Sequence, residues 1–222
     1  MKKNRSELLC WLLAALPLAL ALFCLPTLPQ RVPLHWDLAG EVDDWGSPAS
    51  ALLIPAMTLG INALFALLPR IDPKRRNYQR FGGAYTAFRL VFNLFMLGML
   101  CVTLYSAYRP GALPVNKVIP AGVGALFCVM GNYMPKFKPN YFLGLRTPWT
   151  LSSERVWHST HRLAGALWFW GGLGFMAASF LLPPTALFAA LLALVVVLAG
   201  VPCLYSYLAY RAEEGAGPGG EK

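Results

Sequence analysis

The sequence predicts an all-α, polytopic membrane bundle of about six transmembrane helices, with both termini in the cytoplasm. Three observations predict it. Hydrophobic residues make up 57% of the chain and charged residues only 13%, with a mean hydropathy of +0.51, a composition suited to lipid rather than to water. The apolar residues gather into six runs close to the roughly 20 residues needed to cross a bilayer. Finally, 15 of the 19 Lys and Arg residues fall in alternate connections on one side of such a bundle, three fall on the other, and Arg89 lies within a run. The basic side is the cytoplasmic one. The net charge of +9 follows from this bias, so no direct binding to nucleic acid is expected.

The first run, Leu8–Leu25, follows the basic stretch Met1–Arg5. Its length, and its exit through "LPTLPQ" without a small-x-small site, predict an uncleaved helix rather than a signal peptide. Phe23 before Cys24 argues against a lipoprotein site. The second run is Ala49–Leu68, followed by "RIDPKRRNYQR" (Arg70–Arg80), read as a basic topology anchor beside anionic lipid. In the third run, Thr86–Ala107, Arg89 lies about a turn inside the cytoplasmic end, close enough to snorkel. The short link Arg109–Asn116 leads to the fourth and shortest run, Val118–Met134. Leu163–Leu182 and Thr185–Leu208 complete the set, and the Gly-rich tail Glu213–Lys222 is expected to be disordered. The chain thus divides into an N-terminal membrane half (1–110), a C-terminal half (111–212) and a tail (213–222). All five cysteines fall in the runs without metal-ligand spacing, and read as apolar filler.

Two connections are richer than linkers need to be. The external loop at 27–48 contains "LPQRVPLHWDLAGEVDDWGSP", which holds four of the ten acidic residues and two tryptophans. Ring faces and carboxylates together suit an apolar, cationic peptide, so His35, Trp36, Asp37 and Asp43 are the expected recognition residues. The competing reading makes Trp36 and Trp45 interfacial anchors.

The second is the cytoplasmic segment at 135–162, within "GNYMPKFKPNYFLGLRTPWTLSSERVWHSTHR" (Gly131–Arg162). Pro135, Pro139, Asn140 and Gly144 rule out helix in its first half. Ser152 or Ser153 then offers an N-cap, with Glu154 in the first turn of a helix that runs straight into the fifth span. Glu154, His158 and His161 fall on one face at i, i+4 and i+7. They could hold a metal, but the spacing is not HExxH; hydrogen bonds fastening loop to helix are the commoner use. With no GxSxG, HExxH, P-loop or paired intramembrane aspartates, neither catalysis, a metal nor a cofactor is expected. Within the runs only Arg89 is clearly ionisable, so the acidic or histidine relay of an ion-coupled carrier is not visible. Asn62, Asn93 and Asn132 read as interhelical hydrogen-bond partners.

The two loops together resemble the SdpI family of bacterial membrane proteins. Pro29, Val32, Pro33, His35, Trp36, Gly40 and Asp43 match the Pro-x-x-Val-Pro-x-His-Trp and Gly-x-x-Asp pattern of a domain of unknown function at the N-terminus of these proteins. The blocks Gly-Asn-Tyr, Lys-Pro-Asn-Tyr-Phe-x-Gly-x-Arg-Thr-Pro-Trp-Thr-Leu and Trp-x-x-Thr-His-Arg within Gly131–Trp168 are similar to the family signature. The resemblance implies a multi-pass protein of the bacterial plasma membrane that confers immunity to a secreted peptide toxin. In the family's namesake it also implies signalling, by capture of a small winged-helix repressor at the membrane. Asn140, Tyr141, Gly144, Arg146, Thr147, Trp149, Glu154 and His161 would then dock such a partner or clamp the loop. A small transporter or exporter is the alternative, and a membrane metalloenzyme using Glu154, His158 and His161 a more distant one.

Overall fold

A computed structural model describes residues 2–215 of the chain, without the side chains of residues 2–4. Helices α1 (Lys2–Cys24), α2 (Leu53–Ile71), α3 (Gly82–Tyr108) and α4 (Val115–Tyr133) are joined by a short α5 (Pro148–Ser152) to α6 (Glu154–Leu181) and α7 (Pro184–Gly215). The six long helices are each apolar enough to cross a membrane. Helix is the form that satisfies every backbone polar group within one segment in lipid, and neighbouring helices let Pro17, Pro120 and Pro202 sit inside it. α7 continues through Glu213 and Glu214 to Gly215, so the first residues of the expected disordered tail are helical; 216–222 lie outside the described residues.

α1, α2 and α3 pack on one another, α6 packs against both α4 and α7, and α3 meets α4. The α4–α6 interface is the most extensive, and glycines explain it. A Cβ on Gly172 would lie 2.6 Å from the Gly124 carbonyl oxygen, and one on Gly165 would lie 2.8 Å from that of Gly131. Gly131 would collide with the Phe169 amide. Backbones so close gain dispersion and weak polar contacts that larger side chains would prevent, which is how helices associate where no hydrophobic effect drives them together.

The polar interior of the N-terminal half corrects two expectations. Arg89 does not snorkel: it is 3% exposed and grips Glu7 with both terminal nitrogens, at 2.6 and 3.0 Å. It also donates to Asn62 Oδ1 at 3.1 Å. Asn93 ties α3 to α1 by donating to the Cys10 carbonyl at 3.0 Å. A carboxylate therefore does lie within a span, because α1 begins before the apolar run and carries Glu7 into the bundle. Asn132 lies exposed on α4. Of the cysteines, only Cys10 is buried; Cys101 and Cys203 are exposed on the outside of the bundle.

The chain departs from the expected all-helical fold in an antiparallel hairpin of β1 (Val32–Trp36) and β2 (Val42–Gly46) in the loop after α1. Asp37 closes its turn, pairing with Glu41 through both backbone and side chain, each at 2.9 Å, while Gly40 takes φ +89°. Gly40 also rests on Asn116 at the start of α4, too close for a side chain to fit without displacement.

Candidate functional site

The bundle presents a structured surface at each end. At the hairpin end, His35 Nδ1 and Asp43 Oδ1 are 2.6 Å apart, an exposed cross-strand pair. Asp37 is engaged in the turn, as above. Trp36 lines a cleft of about 120 Å³ between the hairpin and the α3–α4 connection. Trp45, Glu41 and Ser106 line it too. The four residues expected to act together therefore divide into a surface pair, a turn lock and a cleft wall. Trp45, expected as an anchor, is a second cleft wall.

At the other end, the segment from Met134 to Ser153 folds back on α6 as a platform. Asn140, wholly buried, accepts from the amides of Phe142 (2.9 Å) and Leu143 (2.6 Å) and donates to the Lys138 carbonyl (2.9 Å). This bends the chain after Pro139. Gly144, at φ +87°, lies against the His161 ring where a side chain would strike Nε2. The space it leaves lets the Leu145 amide donate to His161 Nε2 at 3.1 Å. Because Nε2 accepts, Nδ1 carries the proton and donates to the Trp157 carbonyl at 2.8 Å. The imidazole also stacks on Trp157, with centroids 4.0 Å apart, and Trp157 Nε1 donates to the Phe137 carbonyl at 2.9 Å.

Both ring nitrogens of His161 are thus occupied by backbone. Among the described residues no three His, Cys, Asp or Glu side chains converge as a metal site. Glu154 is exposed, while His161, about two turns further along the same helix, is buried. One helical face has been split by the loop packed on it.

Arg146 donates to the Tyr141 carbonyl at 2.7 Å. Thr147 caps α5 reciprocally with Thr150, at 3.2 and 3.0 Å, and its hydroxyl lies 3.0 Å from that of Ser206 on α7. Trp149 packs on Tyr207, with centroids 5.1 Å apart. Of the two cap candidates, Ser153 caps α6, accepting from Val156 N at 3.2 Å and donating to Glu213 at 2.7 Å.

The basic loop is more than an anchor. Asp72, 1% exposed, accepts from Lys74 N (2.7 Å), Tyr78 Oη (3.0 Å) and Tyr141 N (3.0 Å). Asn77 donates to the Pro139 carbonyl at 2.7 Å. Burial, reinforced by the Asp72 carboxylate, raises the pKa of the Tyr78 phenol, which therefore keeps its proton and remains a donor. Sequence reasoning missed Asp72 and Tyr78. The available signal was a single acid followed by Pro73 within a run of cations, an unusual place for an acid unless it accepts hydrogen bonds. Tyr141, Arg146 and Glu154 remain exposed on this surface.

Six helices long and apolar enough to cross a bilayer define a multi-pass membrane protein. Residues 136–206, which include most of the platform with α6 and much of α7, match the SdpI/YfhL protein family, and residues 12–59, which include the hairpin, match a domain of unknown function (DUF1648). The C-terminal part of the chain is thus similar to the SdpI/YfhL family. It is 26% identical over 164 residues to the immunity protein SdpI of Bacillus subtilis (strain 168), covering 74% of this chain and 75% of that protein. No solved structure matches the chain.

Proposed function

We propose that this is a membrane immunity protein that protects its cell from a secreted, membrane-active peptide, with the hairpin as the surface that meets the peptide outside. The observation that carries the reading is the match to an immunity protein over about three quarters of both chains. The hairpin adds a physical rationale. It displays Trp36, Trp45 and four carboxylates on a compact, hydrogen-bonded scaffold, which suits an apolar cationic ligand. In the sequence, 15 of the 19 basic residues fall in alternate connections that include the platform segment, which supports a platform facing the cytoplasm with both termini on that side.

The test is survival of cells expressing the chain when challenged with the peptide. His35→Ala or Trp36→Ala loses protection at unchanged membrane levels, since truncating a central aromatic contact costs about 2 kcal/mol or more of binding. Full protection by both variants would refute the role of the hairpin. A finer part of the proposal is that peptide binding leads the platform to sequester a small winged-helix repressor, using exposed Tyr141, Arg146 and Glu154. Arg146→Ala then abolishes peptide-dependent induction while sparing protection.

One observation favours a second reading, a small exporter. Near the Glu7–Arg89 pair, Arg89 Nε, Asn62 Nδ2 and Asn93 Oδ1 are buried without partners among the described residues, and unpaired polar groups at membrane depth often mark a transport path. Peptide efflux from loaded proteoliposomes that depends on Asn93 would support it.

A further inference from the structure

The cleft under the hairpin has a chemistry of its own. Its volume of about 120 Å³ equals roughly four water molecules at ~30 Å³ each. That is room for one side chain and too little for a folded segment. Two indoles, Trp36 and Trp45, form part of the wall together with Leu113 and Val115. Glu41 is the only ionisable side chain among the lining residues. Arg109 and Lys117, on the adjoining connection, are exposed and do not line it.

Ser106 supplies the independent observation. It lines the cleft, is 4% exposed, and its Oγ has no hydrogen-bond partner among the described residues. A buried hydroxyl left unpaired is costly, so a guest that hydrogen-bonds to it is favoured over one that cannot. An alkyl guest leaves Ser106 unpaired. A carboxylate guest meets Glu41 with like charge. A neutral alcohol has a single O–H to share between Ser106 and Glu41 and brings no charge to the carboxylate or to the negative faces of the indoles. An ammonium on an alkyl stem uses all of them, with three N–H donors for Glu41 and Ser106, its charge against the rings, and its stem along Leu113 and Val115.

We infer that this cleft is a binding site for a single alkylammonium group, the lysine side chain of the peptide. The assignment to lysine of the peptide rests on the function proposed above; the ammonium site itself does not.

The experiment uses the full chain in detergent micelles with 15N-labelled tryptophan, titrated with n-butylamine hydrochloride and, separately, n-butanol. The indole signals of Trp36 and Trp45, assigned by Trp→Phe variants, shift saturably with butylammonium at millimolar concentration, as expected for so small a ligand. The other five tryptophans do not respond. Butanol binds at least tenfold more weakly. Glu41→Gln, an exposed substitution that keeps the shape, weakens butylammonium at least tenfold and brings it close to butanol.

Absence of saturable shifts, equal binding of butanol, or unchanged affinity in Glu41→Gln would each overturn the site. A bilayer supplies the same chemistry in phosphatidylethanolamine. Nanodiscs containing that lipid, compared with nanodiscs of phosphatidylglycerol alone, therefore separate the sources. Trp36 and Trp45 shifted by the lipid without added amine would reassign the cleft to a headgroup and overturn the peptide lysine. If Glu41→Gln loses butylammonium yet protects cells fully, the lysine assignment falls while the proposed immunity function stands. If the cleft binds no ammonium yet Trp36→Ala abolishes protection, the hairpin's role survives and the ammonium site falls.

Discussion

Replacing Asp72 with Ala removes the acceptor of three hydrogen bonds at a position 1% exposed. The Lys74 amide lies at a turn on the loop surface and can turn to water. The other two donors fare worse. Tyr78 is 6% exposed and packs among Phe81, Tyr85 and Phe137, and the Tyr141 amide is part-buried between the two loops. The buried Tyr78 donor left unpaired costs about 1–3 kcal/mol and the part-buried Tyr141 amide about 1 kcal/mol, so the two together weaken local closure by about 2–4 kcal/mol. Asp72→Asn is the control. With its carbonyl oxygen toward Tyr78 and Tyr141, it loses only the bond to Lys74, at about 1 kcal/mol.

Amide hydrogen exchange reads this directly, because local opening is a free energy of its own. Protection across residues 138–147 falls roughly 30- to 1,000-fold in Asp72→Ala, at about 1.4 kcal/mol per factor of ten, and about fivefold in Asp72→Asn. Exchange in Asp72→Ala that matches the unsubstituted protein would refute the claim that this carboxylate pins the two loops together. Equal losses in both variants would show that its charge, rather than its geometry as an acceptor, does the holding.

Glu7→Ala leaves Arg89 charged and almost wholly buried with Asn62 as its remaining side-chain acceptor among the described residues. It should cost about 3 kcal/mol, the lower end of the range for a broken buried pair because Glu7 itself is partly exposed; thermal unfolding in detergent measures it. Gly172→Val forces atoms into the backbone of α4 and should lower stability by at least about 1–3 kcal/mol. Gly174→Val, two residues along with nothing within 4 Å of its Cβ position, should stay within about 0.5 kcal/mol of the unsubstituted protein. Reporter fusions should place Arg75 and Trp149 in the cytoplasm and His35 outside, and a fusion with Trp149 outside would invert the proposed working of both ends.

The spans were legible because crossing a bilayer is a one-dimensional property, written in length and hydropathy. The platform was legible for a related reason, since Pro135, Pro139, Asn140, Gly144 and Ser153 act on the backbone within a few residues of themselves. What escaped was nearly all long-range. Glu7 and Arg89 are 82 positions apart, and Asp72 and Tyr141 are 69 apart, so no local pattern ties them. The face shared by Glu154, His158 and His161 was correct as helical geometry, but the role of His161 was decided by Gly144 passing over its ring. The hairpin hid behind Pro33 and two five-residue strands whose register is irregular, too short for alternation to declare itself. Gly124 and Gly131, like Gly165 and Gly172, recur at seven-residue intervals in two neighbouring helices. That repeat was readable as a packing surface and was the one tertiary contact a closer reading of small residues could have found.

The glycine contact also governs how the two ends of the molecule affect each other. α4 begins against Gly40 of the hairpin and ends in the turn that carries Phe137 to Trp157, a distance of about 28 Å for its 19 residues. Between Gly124 and Gly131 it touches α6 backbone to backbone, at Gly172 and Gly165. The pair behaves as a strut. Under the function proposed above, strain applied at the hairpin turn would reach the stacked Trp157 and His161 as movement of a stiff body. Stiffening or loosening this one contact would therefore set how strongly an event on one side of the membrane is felt on the other, without altering a residue at either surface.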